Sequence, residues 1–484
     1  MSTIAMALAA ATIAAQSAEL PRALDYASAR LLRDRIAMEA YRPSYPFWRH
    51  IFTIPDGSIL FGSAVDGRLL VTVPSNGNWG TDAQWQDPAL PQAVEGQAWP
   101  RRLDDRRDLM AQQLALSAGP VVHNPSRGVS LLSSASRYGP FINEWRAIYE
   151  RFGVPGDIGL AQAVVESGLR GTVKSEARAI GFCQFLLSNW RVLDRLSPAV
   201  LEAENQTTQA PYCAAYLTVL STKYGSYIPA LSEHHAGGAN IGRTLINGER
   251  LGGLDVREQY FLGAAFARDL RVLSPGTYRD VYGTYGPRSS LYAEMVFGNT
   301  ITVSNLANEQ TPQEKVYAMR TSRVWTLAEI ASTARLSRDE VQRFNPALVR
   351  RVPRGATVYL PRHIPAIGTD VAFWHRPAPA AYQELLDEFV SLEMPLEEWD
   401  SQAFDATLQR FRTRFAATRT EEGSVMATML AYELQIRQTS KQRQILAEFR
   451  DSEQIRQLFD RARRERDAFL AANGSRPPPA AATD

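Results

Sequence analysis

Cysteine is almost missing from this chain: 484 residues contain two, Cys183 and Cys213. That scarcity excludes a disulfide-built scaffold and any zinc site made from several thiolates. It leaves open one bridge in an oxidising compartment, or two buried thiols. An excess of one charge is missing as well, since 53 Lys and Arg stand against 51 Asp and Glu, a net charge of +2. No field of one sign points to nucleic acid or an anionic membrane as the main partner. Past the N-terminal stretch there is no unbroken apolar run of about 18 residues, so no integral membrane span is expected. Length is ample, and at ordinary domain sizes it makes roughly three units.

The first residues, "MSTIAMALAAATIAAQSAELPRAL", form an Ala-rich apolar stretch followed by small residues, with no Lys or Arg before it. Residues 1–18 are read as a signal peptide for export to the periplasm or cell envelope, the alternative being an Ala-rich helix. No cysteine lies nearby to carry a lipid anchor. Residues 19–135 form an N-terminal region. It starts with an amphipathic helix in "LPRALDYASARLLRDRIAMEAY" and continues into "FWRHIFTIPDGSILFGSAVDGRLLVTVP". In the latter, β-rich segments are cut at Asp56-Gly57 and Asp66-Gly67, which read as consecutive hairpin turns because Asp-Gly tolerates positive φ. A loop at 77–101 and a helix at 103–118 follow.

From 136 to 300 the pattern is mainly helical, with Gly and Pro at each junction. Residues 316–362 make a compact unit in which two short β-like runs enclose two short helices, the second opened by a Ser337/Glu340 capping box. "HIPAIGTD" and "HRPAPA" read as the following linker. Residues 381–470 look helical throughout. There Ile445, Phe449, Ile455, Leu458 and Phe459 lie against a mixed-charge face that suits a helical hairpin, self-association or a protein partner rather than nucleic acid. The tail at 471–484 is expected to be disordered. The fold class is therefore mainly α, with small β elements.

One residue stands out chemically. In "GDIGLAQAVVESGL" an apolar helix ends in Glu166, two residues before Gly168 stops it. The negative end of the helix dipole and an apolar setting both disfavour the ionised carboxylate. Both raise its pKa, as a general acid near neutral pH requires. The alternative is a solvated helix end or an arginine-paired carboxylate.

"VPGDIGLAQAVVESGLRGTVKSEARAIGFCQFL" resembles the front half of the lysozyme-like lytic transglycosylase domain, closest to membrane-bound D-type enzymes acting on peptidoglycan. The motif positions fall on Glu166 and Ser167, on Ser175, Ala179 and Gly181, and on Gln184 and Phe185. "ALSEHHAGGANIGRTL" resembles the family's Ala-Tyr-Asn-Ala-Gly segment, and "REQYFLGAAFARDL" its late helix, with the tyrosine at Tyr260. The resemblance implies a lysozyme-like catalytic domain in which Glu166 protonates the β-1,4 bond between N-acetylmuramic acid and N-acetylglucosamine. The same group then takes the proton of the C6 hydroxyl, closing a 1,6-anhydro ring without water or cofactor. It implies substrate contacts for Ser167, Gln184, Phe185, His235 and Tyr260, and peptidoglycan strands as the partner.

The chain departs from the family pattern at several positions. His234-His235 replaces Tyr-Asn, Glu233 replaces a small residue, Arg178 replaces a loop glycine, and Cys183 takes an apolar position. Glu233 beside the site suggests an alternative, a hydrolase in which it activates water. Adjacent helix residues point about 100° apart, so Glu233 and the two histidines are not expected to form a metal site. The 316–362 unit resembles a lysin motif (LysM) domain in "WTLAEIASTARLSRDEVQRFNPAL" and "VPRGATVYLP", without the family's early Gly-Asp-Thr. That resemblance implies a βααβ glycan binder that concentrates the enzyme on an insoluble polymer. A non-catalytic peptidoglycan-binding scaffold is the remaining alternative.

Overall fold

The computed structural model describes residues 22–197, 202–282, 285–286, 288–308, 312–393 and 402–439, with 456, 457, 460 and 464. The expectations for the signal peptide at 1–18, the apolar row from Ile445 to Phe459 and the tail at 471–484 lie outside the described residues.

The chain begins with α1 (Ala23–Tyr41), which buries Ala23, Ala27, Leu31 and Met38 along one face. Next, α2 (Trp48–Thr53) occupies sequence that reads as strand. Trp48, Ile51 and Phe52 sit at helical spacing and are all buried, and a short apolar run fits either period until packing decides. Strands β1 (Ser58–Ser63), β2 (Leu69–Pro74), β3 (Gln84–Trp85) and β4 (Val121–Pro125) form one antiparallel sheet in the order β3-β2-β1-β4.

Asp66-Gly67 closes the β1–β2 hairpin, with Gly67 at φ 70° and the Asp66 carboxylate accepting from the Arg68 N–H at 3.0 Å. Asp56-Gly57 joins no strand pair. It leads from α2 into β1, and the Asp56 carboxylate accepts from Val129 N–H at 2.9 Å. The second of two expected hairpin turns is thus a helix-to-strand turn. Helix α3 (Leu103–Ala118) covers the sheet, and Phe61, Val71, Trp79, Met110 and Leu114 build a core of their own.

The larger core is helical. It draws on α4 (Val129–Tyr138), α5 (Ile142–Arg151), α6 (Gly156–Ser167), α7 (Leu187–Leu196), α8 (Gln206–Tyr224), α9 (Tyr227–Ala236), α10 (Gly238–Arg250), α11 (Val256–Leu273), α12 (Pro275–Tyr282) and α13 (Tyr292–Asn308). A two-stranded hairpin of β5 (Ala179–Ile180) and β6 (Phe185–Leu186) follows α6. Every residue of α8 is buried, as expected of a helix enclosed on all sides. Asn205 caps it, its side-chain oxygen accepting from Thr207 N–H and Thr208 N–H.

Helix α1 packs its buried face into this core, which Leu60 of β1 also joins. Its buried Asp34 accepts from Arg257 Nε at 2.6 Å, Ser226 Oγ at 2.7 Å and Tyr227 N–H at 2.6 Å. A charge so enclosed needs all of those donors, and they fix α1 across α9 and α11.

Beyond residue 316 the order is β7 (Tyr317–Thr321), β8 (Trp325–Thr326), α14 (Leu327–Ala334), α15 (Arg338–Phe344), β9 (Arg351–Val352) and β10 (Thr357–Leu360). Capping boxes start both helices, at Thr326/Glu329 and Ser337/Glu340. Met319, Val358 and Leu360 face the unit's own core, while Ala318 and Tyr359 alternate to the other face and join the helical core. The segment read as linker supplies β11 (Gly368–Asp370), giving the sheet order β10-β7-β11. Farther along it, Trp374 Nε1 and His375 Nε2 reach the Glu144 carboxylate at 3.1 and 2.5 Å.

Helices α16 (Ala380–Val390), α17 (Gln402–Ala417) and α18 (Glu421–Thr439) follow, and α18 packs along α8. The protein is mainly helical, and no described helix is long and apolar enough to cross a membrane.

Candidate functional site

Helix α6 buries Ile158, Leu160, Ala161, Ala163 and Val164, so its axis is fixed inside the core. It stops at Gly168, which adopts φ 59° and donates its N–H to Val164 O at 3.0 Å. A Cβ at Gly168 would lie 2.7 Å from the Ser130 carbonyl carbon, so only glycine lets α4 seat against this turn. Glu166 therefore occupies a rigid last turn with its carboxyl near the surface, 13% exposed.

Burial pushes the Glu166 carboxyl up from 4.5 to about 7, while a hydrogen bond from Tyr292 pulls the other way. The Tyr292 hydroxyl, at the start of α13, donates to Glu166 Oε1 at 2.5 Å. The His235 ring stacks on the Tyr292 ring, with centroids 4.5 Å apart and planes within 10°. His234 Nε2 lies 3.9 Å from Glu166 Oε1 and 2.7 Å from the carbonyl oxygen of Cys183. Burial lowers the pKa of both histidines, His234 to about 4. Near neutral pH, the two side chains beside Glu166, Tyr292 and His234, are thus uncharged.

The other expected site residues divide. His235 is exposed and reaches Glu166 through Tyr292. Phe185 is buried and packs edge-on to Trp190 and Tyr216 and against His234, forming the wall behind that histidine. Gln184 is half-buried, with its amide donating to Val173 O at 3.2 Å and Gly181 O at 3.0 Å. Ser167 is buried and works as a cap, donating to Ala163 O at 3.1 Å and accepting from Arg170 N–H at 3.2 Å. Tyr260 is fully buried, its hydroxyl 2.6 Å from Ser232 Oγ, away from Glu166. The tyrosine on the carboxylate is Tyr292, whose only sequence signal is an aromatic opening the helix "YAEMVFGN".

Glu233 does not join the site. Its carboxylate accepts from Lys223 Nζ at 3.1 and 2.9 Å and from the Tyr224 hydroxyl, inside the packing of α8 on α9. One residue along a helix turns the side chain by about 100°, which sends Glu233 into the core while His234 faces Glu166. Among the described residues, no three or more His, Cys, Asp or Glu side chains are grouped to hold a metal ion.

Cys183 and Cys213 are joined in a disulfide that ties the β5–β6 hairpin to α8. Three non-glycine residues of this stretch have positive φ, Leu169 at 68°, Arg178 at 63° and Gln184 at 51°. Such conformations cost about 1–3 kcal/mol each and gather where a loop is held for a purpose. Arg178 stands where the resemblance expects glycine, and its backbone is one that glycine adopts freely.

No family model matches the chain, and no curated protein is similar enough to it to be named as a relative.

Proposed function

We propose that this protein is a peptidoglycan lytic transglycosylase of the cell envelope, built on a lysozyme-like helical unit with a LysM-like glycan-binding unit at 316–362. The observation that carries the reading is Glu166 itself: a carboxyl raised to about 7 at a rigid helix end, with uncharged donors around it. A group that must first give a proton and then take one back works best when its pKa is near the ambient pH.

In this reading, protonated Glu166 donates to the glycosidic oxygen between N-acetylmuramic acid and N-acetylglucosamine as the bond to C1 breaks. The sugar's own acetamide oxygen holds the developing positive charge. The Glu166 carboxylate then removes the C6 hydroxyl proton, O6 bonds to C1, the acetamide is released, and the acid form is restored. Tyr292 steadies the carboxylate between the two steps. His235, exposed and stacked on Tyr292, contacts the sugar in this reading. The Cys183–Cys213 bridge suits an oxidising compartment.

The hydrolase alternative, with Glu233 activating water, is disfavoured because Lys223 and Tyr224 engage that carboxylate in the core. Digestion of sacculi followed by mass spectrometry tests the proposal. Anhydro-muramic ends are expected, and they should vanish in Glu166→Gln. Reducing ends would mark a hydrolase. Binding to sacculi without released muropeptides, and unchanged by Glu166→Gln, would mark a scaffold.

A further inference from the structure

Of the side chains nearest Glu166, His234 has no task in the scheme above. Its Nε2 lies 2.7 Å from the Cys183 carbonyl oxygen, which can only accept, so Nε2 carries the hydrogen. The ring is held in place by Phe185 and Tyr216, with centroids 5.2 and 5.9 Å away, and its side chain is 6% exposed. Cys183 is itself pinned to α8 by its disulfide, so the acceptor that fixes the tautomer does not drift.

The groups facing this pair come from several elements. Tyr292 of α13 bonds to Glu166 and His235 stacks on Tyr292. Tyr216 of α8 flanks His234, and behind it lie Glu233 and Glu433. Lys223 is taken up by Glu233. Arg170 is spent on Ser167 O and Ser130 Oγ. An imidazolium 3.9 Å from Glu166 would pull the carboxyl's pKa down and empty the acid form. A neutral N–H avoids that and still offers a donor once the carboxylate exists.

We propose that His234 is a positioning residue for Glu166, a neutral donor that rests on the Cys183 carbonyl while Glu166 is protonated and turns to Oε1 when the carboxylate forms. The proposal rests on Glu166 acting as acid and then base. A shift of about 1 Å closes the 3.9 Å gap to hydrogen-bond length. The carboxylate is thereby held towards the substrate until it recovers its proton.

The test follows the Glu166 carboxyl directly by 13C NMR, assigned by its loss in Glu166→Gln. His234→Phe keeps the ring packing and removes the N–H, while His234→Gln restores a donor. In His234→Phe the Glu166 midpoint should rise by about half a pH unit or more, and muropeptide release should fall about tenfold with sacculus binding unchanged. His234→Gln should recover much of both. A folded His234→Phe with the wild-type midpoint, or a His234→Gln no better than His234→Phe, overturns the proposal. Should the variants fail to fold, the wild-type His234 Nε2–H resonance decides. It should move with the Glu166 midpoint and stay still in Glu166→Gln, and a resonance blind to that midpoint refutes the role. If Glu166→Gln released muropeptides normally, the transglycosylase reading would fall, while the titration would still judge His234.

Discussion

Replacing Glu166 by Gln removes a carboxyl that the fold holds at about 7 instead of 4.5. Between those values the folded protein keeps a proton that the unfolded chain has released. The folded pKa is raised, so wild type loses stability as pH climbs through this window, and the loss is complete above about pH 8. The gap from 4.5 to about 7, at about 1.4 kcal/mol per pH unit, amounts to about 3 kcal/mol, and a side chain only 13% exposed leaves little solvent to screen it. Glutamine does not titrate. Relative to wild type, Glu166→Gln should therefore gain about 2–3 kcal/mol between pH 5 and pH 8, because all other ionising groups are shared and cancel in the difference. Urea unfolding of both proteins at the two pH values, followed by the fluorescence of buried Trp145 and Trp190, measures it. An equal stability difference at both pH values would mean that Glu166 titrates like a solvated carboxylate. Glu166 would then not be protonated near neutrality and could not serve there as the general acid.

Tyr292→Phe removes the donor that favours the Glu166 carboxylate, so the descending limb of the pH–rate profile should move to higher pH while the rate falls about tenfold; an unchanged limb would show that the bond carries no weight. Lys223→Met removes the ammonium partner of Glu233 in the core and should cost about 3–5 kcal/mol by calorimetry, with a smaller loss when Glu233→Gln is added. A fully additive double variant would contradict the pairing. Cys183→Ser with Cys213→Ser should lower stability by about 2–4 kcal/mol, and reductant should do the same to wild type but not to the variant.

What was legible in the sequence was local. The α6 helix and its stop at Gly168 follow from a wide apolar run and one glycine, and the Ser337/Glu340 box and the Asp66-Gly67 turn each lie within a few residues. What was not legible depends on distant partners. Tyr292 meets Glu166 across 126 positions, and its sequence has no mark that separates it from Tyr260, whose hydroxyl meets Ser232 instead. Strand β11 is three residues long and exists because the edge of β7 accepts it, so its sequence reads as linker. Glu233 looked like a site residue because it adjoins His234, yet the helical turn sends it to Lys223 ten positions back.

The place of Glu233 bears on the chemistry. In the two-carboxylate hydrolase arrangement a second carboxylate acts as base or nucleophile, and Glu233, the one beside His234 in sequence, is instead paired with buried Lys223. Freeing it would break the contacts it makes with Lys223 and Tyr224 inside the core. Beside Glu166 instead are the Tyr292 phenol, which donates to it, and the His234 imidazole, which burial keeps uncharged near neutral pH. Such neighbours stabilise a carboxylate by hydrogen bonding without the lasting attraction of a cation, so both protonation states remain accessible. That balance suits one group used twice in a cycle, as the proposed ring closure by the substrate's own hydroxyl requires.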